Sequence, residues 1–445
     1  MASHSPEILF SLPKTHLIPE FEYTRSQAGF SLPKMQIQRI AFLILSRYNS
    51  PMSKYTRIFS LLQSFYWVSA CFVYTFAERF LLAYGFSVHQ IGIVLASANL
   101  ASLFLQPVLA ELADRENGPS LRSLLFMCLS AAIVFAGILL FPQRSLVLMA
   151  VMFACLSTIT LAVQPMLNAV GLAYVDRGEP INYSLARGIA SAAFALYTYL
   201  AGYLAEWRTD ALLWCYITAS LGLLFVSLSF APKKKVSSVD AAPASGTLAL
   251  LKSHPYLLPF LLGIILTFSM HNYLNAYMLS IVEVIGGGTI EMSIAIALAA
   301  LFEIPSMAGF SLLEKKFRLE PLLLISFSAF VVKHLMLLIP LLIGGGIFWV
   351  YLSQCMQLFG YAIFILASSF WVNRQMEENN KVKGQMLVTE AITVGCIIGQ
   401  MGGGFLIDHA GVPTATVTGT FFSIVGLVLL SVSLSLKKGF PKKES

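Results

Sequence analysis

Charge is what this sequence lacks most. Only 11% of its 445 residues are Asp, Glu, Lys or Arg, and 57% are hydrophobic. A soluble domain carries about 25% charged residues, so a water-soluble globular chain is excluded. The six cysteines (Cys71, Cys128, Cys155, Cys215, Cys355, Cys396) form no C-x-x-C pair and all lie inside apolar runs. They read as small buried hydrophobes, and neither a disulfide framework nor a metal site is implied. There is no nucleotide-binding loop, which argues against an ATP-driven pump. No catalytic carboxylates or histidines cluster near an interface, which argues against a membrane enzyme. The net charge of +7 does not point to nucleic acid, because the basic residues sit between the apolar runs. No cofactor is expected.

What is present is a series of apolar runs, each long enough to cross roughly 30 Å of hydrocarbon. Twelve can be placed, at about 58–84, 88–112, 122–141, 146–173, 184–206, 212–231, 255–283, 290–313, 320–339, 346–373, 385–408 and 412–436. Between the sixth and seventh lies "PKKKVSSVDAAPASGTLALLKSHP", the one long internal linker. The expected fold is therefore an all-α integral membrane protein of twelve transmembrane helices in two six-helix bundles. The expected divisions are a segment 1–51, a first bundle 52–231, a linker 232–254, a second bundle 255–436 and a basic tail 437–445. The segment 1–51 repeats "FSLPK" and contains no span. It reads as a disordered tail or as a start assigned too early, with Met52 the natural first residue; a regulatory extension is the alternative.

Lys and Arg orient the spans. Nineteen fall on one side, among them Lys54, Arg115, Lys233, Lys234, Lys235, Lys316, Arg374 and Lys437, against Arg144 and Arg208 on the other. Both termini and the linker are thus expected in the cytoplasm, with the bilayer as partner.

The halves echo each other. "AYVDRGE" (173–179) matches "FWVNRQME" (370–377), "GYLAEW" (202–207) matches "GFLIDH" (404–409), and "FLQPVLAELADR" (104–115) matches "FEIPSMAGFSLLEKK" (302–316). Each pairs span n with span n+6, as parallel repeats about an axis along the membrane normal do. On these residues the chain resembles the major facilitator superfamily. "ELADR", with Asp114 and Arg115, is similar to that family's G-x-x-x-D-R conformational loop, although Ala110 replaces its leading glycine. Within the superfamily, "IGIVLASANLASLFLQPVLAELADR", "INYSLARGIASAAFAL" and "FEIPSMAGF" resemble the oligosaccharide:proton symporters, represented by lactose permease, and the phenylpropionate and nucleoside permeases.

Six formal charges lie inside the spans: Glu78, Arg79, Arg187, Glu303, Lys333 and Glu390. Each costs about 2.5–3.5 kcal/mol at mid-helix if left to lipid, so they must pair or line an aqueous cavity. The resemblance aligns Arg187 with an arginine that holds sugar, Glu303 with a substrate-binding and proton-coupling glutamate, and Lys333 with an arginine. Structural readings stand beside these: a snorkelling Arg187, and a Lys333 that merely pairs with Glu303 or Glu390. The carboxylate that pairs with the family's arginine is replaced by Asn168, and two titrating positions of the family fall on Gln357 and Gly360. Two readings follow for Arg187: it finds another carboxylate, with Glu390 the candidate, or the substrate brings the negative charge. For Glu78, an outer-gate salt bridge and a coupling role are both open.

Uncharged polar residues recur at helical spacing: Thr267, His271 and Asn275; Gln354, Gln357 and Tyr361; Gln164 and Asn168; and a stripe from Gln63 through Trp67 to Glu78. Helix packing alone can produce such stripes, and single histidines such as His271 are more often structural. Together with the charges they describe a cavity suited to a polar solute whose rings stack on aromatic faces. Substrate contacts are expected from Arg187, Asn168, Gln164, Trp67, His271, Asn275, Gln354 and Gln357, and ion coupling from Glu303, Glu390, Glu78 and Lys333. The expected activity, resting on the resemblance, is import of a sugar, oligosaccharide, nucleoside or similar small solute by a monomer in symport with protons, sodium being the alternative ion. A proton-coupled exporter is the main rival reading, ahead of an enzyme or a sensor.

Overall fold

The structure is a computed structural model that describes residues 52–115, 118–141, 145–175, 177–230, 247–377 and 380–438. The segment 1–51, Arg144, most of the linker with its three lysines, and residues 439–445 lie outside these. The chain divides into a unit Met1–Pro51 and a unit Met52–Ser445, and only the second is described.

Among the described residues all regular elements are helical: α1 (Lys54–Tyr74), α2 (Ala77–Ala83), α3 (Val88–Asp114), α4 (Leu121–Leu139), α5 (Leu146–Val175), α6 (Tyr183–Trp207), α7 (Ala211–Phe230), α8 (Thr247–Ser253), α9 (Leu257–Ala276), α10 (Met278–Val284), α11 (Thr289–Lys316), α12 (Leu319–Leu342), α13 (Phe348–Cys355), α14 (Tyr361–Gln375) and α15 (Lys381–Lys438). Ten helical runs are long and apolar enough to cross a membrane, and α1 with α2, bent by 46°, supplies an eleventh. A straight α15 of 58 residues would extend about 87 Å, far beyond one bilayer. It is interrupted at Gly411, whose φ of 80° and ψ of 164° only glycine adopts readily. Its length and this interruption suit two crossings, and among the described residues ten or eleven spans stand beside the expected twelve.

Three expected spans are broken rather than continuous. Span 1 breaks between α1 and α2, span 7 at Tyr277 between α9 and α10, and span 10 at a 3₁₀ turn, Met356–Leu358, between α13 and α14. Backbone groups freed by a break inside a membrane need partners from the protein. At the span 10 break, Ser306 donates its hydroxyl to the Leu358 carbonyl at 2.5 Å, and Ser326 to the Gly360 carbonyl at 2.8 Å.

The apolar interior has three main clusters. One, with Phe59, Leu62, Leu125 and Leu167, belongs wholly to α1–α7. A second, with Phe260, Phe268, Phe364 and Trp371, belongs wholly to α8–α15. The third draws on both, joining Phe72, Phe80 and Phe153 to Met270, Tyr277, Leu337 and Val412. It occupies the helix ends opposite the basic loops. The halves are therefore sealed together at that end, while at the basic end each keeps its own core. On the sealed side Arg208 is paired with Asp210 at 2.5 Å, and its guanidinium holds that carboxyl below the usual carboxylate range.

Candidate functional site

Arg187 lies in the second turn of α6. That helix starts where it does because the Asn182 side chain accepts from the Leu185 N–H at 3.0 Å, a typical N-cap. The Asn182 N–H donates to Thr56 Oγ1 at 2.9 Å, tying the start of α6 to α1. Buried Gly188 and Ala190 let α6 approach its neighbours. The Arg187 guanidinium lies 5.4 Å from the centre of the Trp67 ring, a cation–π contact worth about 0.5–2 kcal/mol. Trp67 is itself set edge-on to Tyr66 and Phe194 and stacked on Tyr74. Among the described residues Arg187 makes no hydrogen bond and no ion pair.

Asn168, expected among the substrate contacts, has two partners within the first half. Its Oδ1 accepts from the Tyr183 hydroxyl at 2.8 Å and from Gln63 Nε2 at 3.3 Å, bracing α5 against α6 and α1. Gln164 is half-buried one turn away, next to Pro165 inside α5.

In the second half, Lys333 Nζ donates to Gln357 Oε1 at 2.8 Å, and Gln357 Nε2 donates to Glu303 Oε1 at 2.9 Å. A buried amide thus links the cation of α12 to the carboxylate of α11. Gln357 can do this because it stands in the 3₁₀ turn that breaks span 10, the same turn whose Leu358 carbonyl is held by Ser306. Arg187 lies within electrostatic reach of Glu303 and of Tyr361, so the two halves confront each other here. Tyr361 stacks on His271, with ring centres 5.4 Å apart. Asn275 donates to His271 Nε2 at 3.2 Å, while Nδ1 is buried without a partner among the described residues. Gln354 is buried and donates to Ser353 Oγ at 3.3 Å.

Glu390 differs from expectation. It is exposed on α15 and, among the described residues, makes no hydrogen bond or ion pair with Arg187. The repeat echoes fix a register between the halves. Each residue turns about 100° around a helix axis, so a modest rotation of α15 relative to α6 separates positions that the alignment sets opposite each other.

Glu78 lies apart from this group, in the sealed end. Its carboxylate accepts from the Leu279 N–H at 3.0 Å, from the Ser280 N–H at 3.3 Å, and from the Ser280 hydroxyl. The break in span 1 is thereby fastened to the break in span 7, through backbone donors and not through a salt bridge with Arg79. At the loop after α3, Arg115 pairs with Glu111 at 2.7 Å; the Asp114 side chain lies outside the described residues.

Sequence reasoning missed the other fastenings of the sealed end. Asp408 accepts from the His89 N–H at 2.8 Å, capping α3, and Asn99 Nδ2 donates to Gln400 Oε1 at 3.0 Å. The acid in "GFLIDH" was visible as a repeat of the acid in "GYLAEW"; its partner, distant in the chain, was not.

The family model described as MFS_1 like family matches residues 57–416. The chain belongs to this family. It is a major facilitator transporter, not an enzyme. Its fold is similar to solved structures across nearly their whole length. A mutant form of the nucleoside transporter NupG is 16% identical with a TM-score of 0.72, covering 86% of this chain and 98% of that one. An auto-inhibited peptide transporter of the POT family is 11% identical with a TM-score of 0.68, covering 88% and 98%. A D-xylose-proton symporter is 12% identical with a TM-score of 0.64, covering 87% and 97%. No curated protein matches this MFS_1-like chain by sequence.

Proposed function

We propose that this transporter carries a small polar organic solute across the cytoplasmic membrane by alternating access, in symport with protons. The observation that carries the proposal is the confrontation of Arg187 with the Glu303–Gln357–Lys333 chain, at the junction of two halves whose largest shared core lies at the end opposite the basic loops. The names of two solved relatives, a nucleoside transporter and a D-xylose-proton symporter, support the solute class and the coupling ion.

In this reading Arg187 supplies fixed donors to substrate oxygens, and Trp67 and the His271–Tyr361 pair supply ring faces. Asn275, Gln354 and Gln357 add polar contacts, and Asn168 and Gln164 hold the α5 wall. Glu303 carries the proton. Its link to Lys333 runs through a neutral amide, so protonation does not break a direct ion pair. Glu78 and Glu390 are the further coupling groups. With Lys and Arg loops in the cytoplasm, the sealed end faces outward. The chain acts as a monomer with both termini inside.

The test is external pH in a weakly buffered suspension of energy-depleted cells expressing the protein. Sugars, oligosaccharides, nucleosides and aromatic acids are added one at a time, in sodium and in sodium-free medium. Alkalinisation that depends on a solute, persists without sodium, and disappears in Arg187→Ala and Glu303→Gln supports proton symport. Silence for every solute, with no labelled uptake, overturns the importer and directs the work to export.

A further inference from the structure

Charge is out of balance among the confronting groups. Arg187 has five N–H donors, is half-buried, and directs none of them to an acceptor among the described residues. Its one described contact is the Trp67 face, which attracts the cation but satisfies no N–H. The acceptors that could have answered it do not bond to it. Asn168 Oδ1 already accepts twice. Glu303 gives Oε1 to Gln357 and makes no hydrogen bond to Arg187 among the described residues, and Glu390 is exposed and unbonded to Arg187.

Lys333 is the second cation, buried at 1% exposure, and leans on Glu303 only through Gln357. Arg187 and Lys333 together carry two positive charges and Glu303 one negative. The group therefore holds a surplus of one positive charge while Glu303 is ionised, and of two once Glu303 has taken a proton. With Lys333 buried and Arg187 and Glu303 half-buried, such a surplus is costly. A neutral solute leaves it uncorrected. A carboxylate offers two acceptor oxygens in the geometry that a guanidinium matches.

We infer that the solute is an organic monocarboxylate, whose carboxylate pairs with the vacant donors of Arg187 and whose body lies against Trp67 and Tyr361. The inference rests on the transport reading above and narrows its substrate. Two sources share this chemistry: sugar acids, whose hydroxyls suit the amides of Gln354, Gln357 and Asn275, and ring-bearing acids, whose faces suit the aromatic walls.

The test compares matched solutes on the full chain purified into lipid nanodiscs, reading thermal stabilisation, and on cells, reading uptake. The pairs are D-glucuronate with D-glucose and benzoate with benzyl alcohol. The expected result is that at least one acid stabilises the protein and is taken up while its neutral partner is not. Arg187→Gln then weakens that acid by roughly ten- to a hundred-fold, the loss of charge-assisted hydrogen bonds, and Arg187→Lys restores some of it. Which acid responds assigns the source. Stabilisation by neutral solutes alone overturns the inference while leaving the transporter reading intact. So does an acid that binds Arg187→Gln as well as the parent protein. Failure of both acids overturns it too, and failure of every solute in uptake, neutral ones included, overturns the transport reading with it.

Discussion

The Glu78 carboxylate accepts hydrogen bonds from the backbone N–H and the hydroxyl of Ser280, across 202 positions of sequence and across the junction of the two halves. Both residues flank breaks in their spans, so each break supplies what the other needs. The second broken helix frees N–H groups, and the first presents a buried oxygen anion or acid to receive them. Together with Asp408 on the start of α3, this fastening holds the sealed end shut.

Glu78→Ala is expected to loosen that end. Losing one partner of a buried network costs about 1–3 kcal/mol, which is roughly a five- to a hundred-fold shift of a two-state equilibrium. The measurement is the rate of oxidative cross-linking between cysteines placed at His89 and His409, whose rings are 6.1 Å apart. The rate should fall in Glu78→Ala and recover in some measure in Glu78→Asp.

The same cysteine pair should lock the carrier. Once cross-linked, the sealed end cannot open, and uptake should cease and return on adding a reductant. Continued transport by fully cross-linked protein would refute the assignment of this end as a gate.

Gly404 marks a close approach of the halves at this end. A Cβ there would lie 2.6 Å from the Val88 carbonyl oxygen and from the Tyr277 hydroxyl, whereas one on Gly402 would meet nothing within 4 Å. Gly404→Val should wedge α3 from α15 and lower both cross-linking and uptake at least several-fold. Gly402→Ala should leave both near the parent values.

Gln357→Leu removes the amide between Lys333 and Glu303. A buried cation and carboxylate then lose their shared partner, at a cost of about 3–5 kcal/mol, read as a fall in thermal stability of the purified protein. Adding Lys333→Met should recover some of the loss, and a double-mutant cycle measures how much.

Trp67→Ala should free Arg187 from its ring contact. A loss of about 0.5–2 kcal/mol raises KM for the solute by roughly two- to thirty-fold, while Trp67→Phe should lie between. An unchanged KM in Trp67→Ala would remove Trp67 from the binding surface.

Much of this molecule was legible in one dimension. Span positions follow from the length of apolar runs, and the repeat from echoes such as "AYVDRGE" and "FWVNRQME". Arg187, Glu303 and Lys333 declared themselves as charges too costly to leave in lipid. The breaks within spans 1, 7 and 10 were not legible: Thr75, Tyr277 and Gln357 sit among polar residues of their spans, but a polar stripe fits a continuous helix facing a cavity as well as it fits a broken one. Of the two readings open for Arg187, a contact with Glu390 is not present among the described residues, and alignment of two repeats could not decide it, since it sets a register and not a rotation.

The sequence by itself thus determined the class of molecule, its helical spans and the identities of its buried charges, since each depends on composition or period over a few neighbouring residues. Only the tertiary structure decided how those charges are answered. It set Lys333 against Glu303 through Gln357, tied Glu78 to Ser280 and Asp408 to His89, left Arg187 with a ring and no described acceptor, and built the core that the halves share at the end opposite the basic loops. A hydrogen bond between helices requires both to be turned and placed to within a fraction of a turn. That placement comes from the packing of whole helices, and no short stretch of chain contains it.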